Sequence, residues 1–146
     1  MGINLGSPQH GWLDIELRVG ELELVVDASD AVVDSIRELV ELGLAAVEPR
    51  GLGTCTFFLE PGAVHLQLEH VDGCVRLEVY ETLELRRPHS RDRPKETVVV
   101  DGREFARAIW RGLREAESRW DAVADTDWSW PFPTEIVRHL GEKLRS

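Results

Sequence analysis

The sequence predicts an α+β fold: an antiparallel sheet of about six strands with helices packed on one face, in the order β-β-α-β-β-β-β-α-α. Three observations carry that expectation. Apolar and polar residues alternate over 13–19 and again over 64–69, which is the period of a half-buried strand. Each alternating stretch runs into a two-residue turn signal, Gly20-Glu21 or Asp72-Gly73. Helical spacing of apolar residues is concentrated after residue 101. With 146 residues, 42% hydrophobic and 30% charged, the chain suits a single domain over 1–146 with its own core.

Residues 1–11 are expected to be a flexible tail; they hold neither the basic segment nor the apolar segment of a signal peptide. In 13–19, Leu13, Ile15, Leu17 and Val19 share one face, with Asp14, Glu16 and Arg18 on the other. A type II′ turn at Gly20-Glu21 pairs Val19 with Leu22, Leu17 with Leu24 and Ile15 with Val26, and sets Arg18 opposite Glu23. Asp27-Ala-Ser-Asp30 offers caps for a helix carrying Val32, Val33, Ile36, Leu39 and Val40, which Gly43 can end. A Gly-rich loop leads to a strand at 54–60, and Glu60-Pro-Gly-Ala63 makes a turn.

The clearest element is the hairpin over 64–81, whose Asp72-Gly73 turn matches Leu68 with Leu77, Leu66 with Val79, Glu69 with Arg76 and His65 with Tyr80. Residues 86–95 (RRPHSRDRPK) contain two prolines and no periodicity, and are expected to be a mobile basic loop. A strand at 96–100 precedes the capping box Asp101-x-x-Glu104. The helix after it runs to about Trp120 on a stripe of Phe105, Ala108, Ile109, Leu113, Ala116 and Trp120. A loop over 121–133 then leads to a last helix from Thr134, with Ile136, Val137, Leu140 and Leu144 inward.

The net charge of −10 disfavours nucleic acid, since phosphate binding needs a basic face. Five of the 17 basic residues fall in 86–95, against one of the 27 acidic residues, so the rest of the chain is more acidic still. That excess favours encounter with a basic partner. No apolar run reaches the roughly 18 residues of a membrane span, so no membrane partner and a cytoplasmic location are expected. Cys55 and Cys74 show no CxxC or Cys-His clustering and read as free thiols, with no metal or other cofactor expected. Phosphate-loop, dinucleotide, zinc-protease, nucleophile-elbow and EF-hand motifs are all missing, so no catalytic residue is assigned and the chain is not expected to be an enzyme.

Two surfaces stand out. The C-terminal third holds four of the five tryptophans; Trp120 falls on the buried stripe of its helix, whereas Trp110 lies on the flank. Trp128 and Trp130 are interleaved with Asp121, Asp125 and Asp127. Indoles beside carboxylates suit a protein-recognition patch for a basic partner, because Trp is enriched in binding hot spots. The same loop can instead fold back and plug the seam between sheet and helices. An alternative ligand or metal site is the outward hairpin face of His65, Glu69, Arg76, Glu78 and Tyr80, which also suits cross-strand charge pairing alone.

Phe105-x-x-Ala108-x-Trp110, Trp128, Pro131-Phe132-Pro133 and the closing helix complete a resemblance to the small acidic bacterial immunity proteins of polymorphic-toxin systems. It covers size, acidity, the sheet-then-helices order and the aromatic C-terminal third. The resemblance implies a non-catalytic inhibitor that masks a basic toxin domain and carries over no catalytic residue. A small-ligand protein using the hairpin face and a self-associating structural protein are the alternatives, with the chain a monomer or homodimer.

Overall fold

A computed structural model describes residues 1–146. Its strands are β1 (Gly2–Leu5), β2 (Trp12–Val19), β3 (Leu22–Ser29), β4 (Gly53–Phe58), β5 (Ala63–Val71), β6 (Cys74–Thr82) and β7 (Glu96–Val100). The helices are α1 (Ser35–Val47), α2 (Gly102–Ser118), α3 (Ala122–Asp127) and α4 (Thr134–Arg145). The fold is α+β, with seven antiparallel strands in the order β1-β2-β3-β4-β5-β6-β7. The expected strands are all there; the seventh is β1, in the segment expected to be a flexible tail. Ile3 and Leu5 are buried, and β1 pairs with β2 from Gly2↔Arg18 to Leu5↔Ile15.

Both hairpins have the registers that their alternation predicts. Val19↔Leu22, Leu17↔Leu24, Ile15↔Val26 and Arg18↔Glu23 are observed, and Gly20 has φ +59° as a type II′ turn requires. Across β5–β6, Leu68↔Leu77, Leu66↔Val79, Glu69↔Arg76 and His65↔Tyr80 are observed, and Asp72 and Gly73 both have positive φ, 49° and 82°. That is the type I′ geometry, whose twist matches that of the flanking strands.

α1 departs from expectation at both ends. β3 continues to Ser29, the N-cap is Asp34 rather than 27–30, and Val32 is exposed outside the helix. Gly43 does not stop the helix but lies inside it. A methyl group there would meet Leu140 Cδ2 at 3.0 Å and Ile109 at 3.4 Å, so the glycine serves the close approach of α1 to α4 and α2. α2 is capped by Asp101, which accepts from the Glu104 N–H at 2.9 Å, and it ends at Ser118, short of Trp120. The segment 121–133 contains α3, capped by Asp121 through the Ala124 N–H at 2.9 Å.

The sheet opens between β3 and β4, which pair only at Ser29↔Phe58. α1 occupies that opening and supplies the bonds a neighbouring strand would make. Thr56 N–H donates to Glu38 Oε1 at 2.8 Å, and Ser35 Oγ donates to Thr56 O at 2.8 Å. The β4 edge is thereby satisfied at Thr56. β7 comes back toward β3, and a methyl at Gly20 would meet Val98 Cγ2 at 2.9 Å. Between the curled sheet and α1, α2 and α4 lies one cluster of 32 buried residues, enough to make the chain one packed unit. The outward face of β2–β3 and of β5–β6 carries no helix, as an antiparallel sheet permits. No helix is long and apolar enough to cross a membrane.

Candidate functional site

The tryptophans expected to form a partner patch divide into three roles. Trp128 is only 2% exposed and belongs to the core cluster, so it is not a contact residue. Trp130 is half-buried, and its indole Nε1–H donates to Asp30 O at 2.8 Å. Asp30 Oδ2 also accepts from Ser129 N at 2.8 Å and Ser129 Oγ at 2.7 Å, while Asp30 N–H donates to Gly11 O at 2.8 Å. Gly11 N–H in turn donates to Asp127 O at 2.7 Å. The segment 127–130 is thus stapled to the ends of β2 and β3 around one carboxylate. Trp120 is half-buried against Phe132, with ring centroids 5.0 Å apart. The plug role accounts for Trp128 and Trp130; Trp110 alone, half-buried on α2, stays beside an open cleft. Asp121 and Asp125 are exposed and Asp127 is partly buried.

The hairpin face is a network that satisfies itself. Arg76 Nη2 donates to Glu69 Oε1 at 2.9 Å and Arg76 Nε to Glu78 Oε1 at 3.3 Å, and Tyr80 Oη donates to Glu78 Oε2 at 2.9 Å. His65 is 1% exposed, since Thr56, Thr82 and the chain at 85–87 enclose it. Thr82 Oγ1 donates to Glu84 O at 2.7 Å and can therefore only accept from His65 Nε2, at 3.1 Å. That assigns the proton to Nε2 and leaves Nδ1 to accept from Thr56 Oγ1 at 2.9 Å. Burial lowers the imidazole pKa, consistent with a neutral ring. With both nitrogens occupied, His65 has no free lone pair for a ligand or a proton transfer, and no group of three or more His, Cys, Asp or Glu side chains is placed to hold a metal ion.

Beside that network is an open concavity of about 550 Å³ lined by Glu38, Glu41, Glu69, Glu78 and Arg87 among others. Glu38 has its pKa raised by burial, offset in part by the Thr56 N–H. Arg76 already ties Glu69 and Glu78, and Arg37 ties Glu41 at 3.2 Å, so little free negative charge is left there.

The uncompensated carboxylates lie on the outward face of β2–β3. Asp14 and Asp27 are directly opposite each other in the register, both exposed. Neither forms an ion pair. Desolvation and then the Asp14 carboxylate raise the pKa of Asp27. They sit in a concavity of about 430 Å³ whose other walls are Trp12, His10, Gln9 and Ser7. Glu16 and Glu23 share the face, where the single cation, Arg18, pairs with Glu16 at 3.2 Å, and Val25 is 73% exposed. The arrangement expected in the C-terminal third, an indole beside free carboxylates, stands instead at the N-terminal end with Trp12, Asp14 and Asp27. Its signal was in the sequence: carrying the hairpin register one pair beyond Ile15–Val26 brings Asp14 against Asp27.

Comparison of the chain with family models, with curated proteins and with solved structures finds no match.

Proposed function

We propose that this protein is a non-catalytic binding module that masks a basic partner protein, in the manner of an immunity-type inhibitor, through the uncovered face of β2–β3. The observation that carries the proposal is the Asp14–Asp27 pair with no cation near it. Like charges directly opposite on a sheet are destabilising, and an incoming guanidinium or ammonium would relieve that repulsion on binding. The half-buried Trp12 ring in the same concavity offers the same cation an aromatic contact. Glu16, Glu23 and the exposed Val25 extend the face along both strands. α3, bearing Asp121 and Asp125, meets the start of β2 through the Gly11–Asp127 hydrogen bond and adds acidic surface at that end.

The test is affinity capture from an extract of the source cells at low salt, with the wild-type chain and the Asp14→Asn/Asp27→Asn variant. A basic protein retained by the wild type, released by salt and lost from the folded double variant is expected. Equal retention by both chains would place the contact elsewhere.

A second reading rests on the 550 Å³ concavity, whose size is that of a small-molecule site. Glu38 is its one carboxylate without an ion pair, and a cationic ligand would meet the others only by displacing Arg37 and Arg76. Thermal stabilisation by spermidine, abolished in Glu38→Gln/Glu41→Gln but kept in Asp14→Asn/Asp27→Asn, would favour it over the sheet-face reading.

A further inference from the structure

On the helical side of the molecule, away from the acidic sheet face, the structure assigns a binding site for a phosphate monoester with an apolar body to the cleft between α2 and α4 at Trp110. Arg107, Arg111 and Arg145 line that cleft with Trp110, Gly141 and Leu144, enclosing about 200 Å³. None of the three guanidinium groups hydrogen-bonds or ion-pairs within the protein, although the chain carries ten more negative than positive charges. Elsewhere on these two helices arginines do pair with acids, Arg114 with Glu117 at 3.4 Å and Arg138 with Glu135 at 2.7 Å and with Glu142 at 2.6 Å.

The chemistry of the walls selects the ligand. Guanidinium groups only donate, and the indole Nε1–H of Trp110 makes no hydrogen bond in the protein and is not sealed from solvent. The side chains lining the cleft thus offer no hydrogen-bond acceptor. Three cations lining one cleft repel one another until an anion joins them, and their combined charge matches a phosphoryl dianion better than a monoanionic carboxylate. Arginine forks meet phosphate oxygens in pairs of parallel hydrogen bonds. The indole and Leu144 supply the apolar wall for the body of the ester. Gly141 makes room for the ring, since a methyl group there would lie 2.6 Å from Trp110 Nε1. The Arg114 guanidinium, 5.9 Å from the indole centroid, is paired with Glu117 at 3.4 Å and so holds the ring without competing for the anion. The volume admits one phosphoryl group and a ring-sized body.

The test is titration of the ¹⁵N-labelled full chain with phenyl phosphate, following the Trp110 indole N–H and the backbone amides of 107–114 and 141–145. Saturable shifts confined to those signals are expected. Inorganic phosphate, lacking the ring, should bind about 10-fold more weakly, and benzylamine, carrying the opposite charge, should leave the signals unmoved. Arg107→Gln/Arg111→Gln and, separately, Arg145→Gln should each weaken phenyl phosphate at least about 10-fold while keeping the dispersed spectrum of the folded chain. No saturable shift up to about 10 mM, or shifts that persist in both variants, would overturn the site. Benzoate binding as tightly as phenyl phosphate would overturn its assignment to a phosphoryl group.

Discussion

At the scale of single residues, each tryptophan of the C-terminal third is placed by partners far away in the chain or by the core. Composition and spacing flag Trp110, Trp128 and Trp130 as unusual, but exposure depends on long-range partners. Trp130 is tied to Asp30, a hundred residues earlier in the chain. Trp128→Ala therefore tests stability rather than partner contact: it should cost about 3–5 kcal/mol in chemical denaturation, the usual range for emptying an aromatic core site. Asp27 has the opposite character. Its raised pKa means that the folded chain holds a proton over a pH range where the unfolded chain has released it. Stability therefore falls as pH rises through that range and stays lower above it. Asp27→Asn should accordingly raise the melting temperature at neutral pH, by the ~0.2–1 kcal/mol of an exposed cross-strand pair. That gain should vanish below about pH 4, where the unfolded carboxyl is also protonated. Stabilisation together with weaker partner binding would mark the pair as kept for function.

At the scale of elements, what could be read was what is local. The β5–β6 hairpin was legible because a period of two, a length and an Asp-Gly turn agree on one register. β1 was not, because four residues with Ile3 and Leu5 as their buried side chains carry too little pattern. Its place is set by β2 and by α2, where Arg119 Nη2 donates to Leu5 O at 2.8 Å. α3 was missed for the same reason: six residues held by a side-chain cap show no helical stripe. The role of α1 as a closure for the β4 edge was invisible too, since it depends on β3 and β4 diverging. It gives a specific expectation. Glu38→Ala leaves the Thr56 N–H without its acceptor and should destabilise the fold by about 1–3 kcal/mol in urea denaturation. Glu38→Gln, which keeps an oxygen acceptor, should cost much less.

At the scale of the whole molecule, charge is sorted by face. The outward side of β2–β3 is acidic and poorly compensated, β5–β6 is internally paired, and the α2–α4 cleft gathers free arginines. The segment 86–95 is neither strand nor helix, yet it is gathered around Asp92, which accepts from Arg86 Nη1 at 2.9 Å and from His89 N at 2.6 Å. The net charge of −10 foretold an acidic surface without saying where it is, because pairing depends on which side chains meet. The hairpin register brings Glu69, Arg76, Glu78 and Tyr80 together as the sequence predicts, and the same register pairs them with one another, while His65 is buried against Thr56 and Thr82. The Asp14–Asp27 pair follows from the same kind of register and was left uncompensated.

The most direct measurement is the association rate of the captured basic partner, by stopped flow, as ionic strength rises, for wild type and for Asp14→Asn/Asp27→Asn. The wild-type rate should fall steeply with salt, and the variant should begin slower and fall less, as expected when opposite charges steer the encounter. A rate independent of salt, or one identical in the two chains, would contradict the assignment of the β2–β3 face as the docking surface.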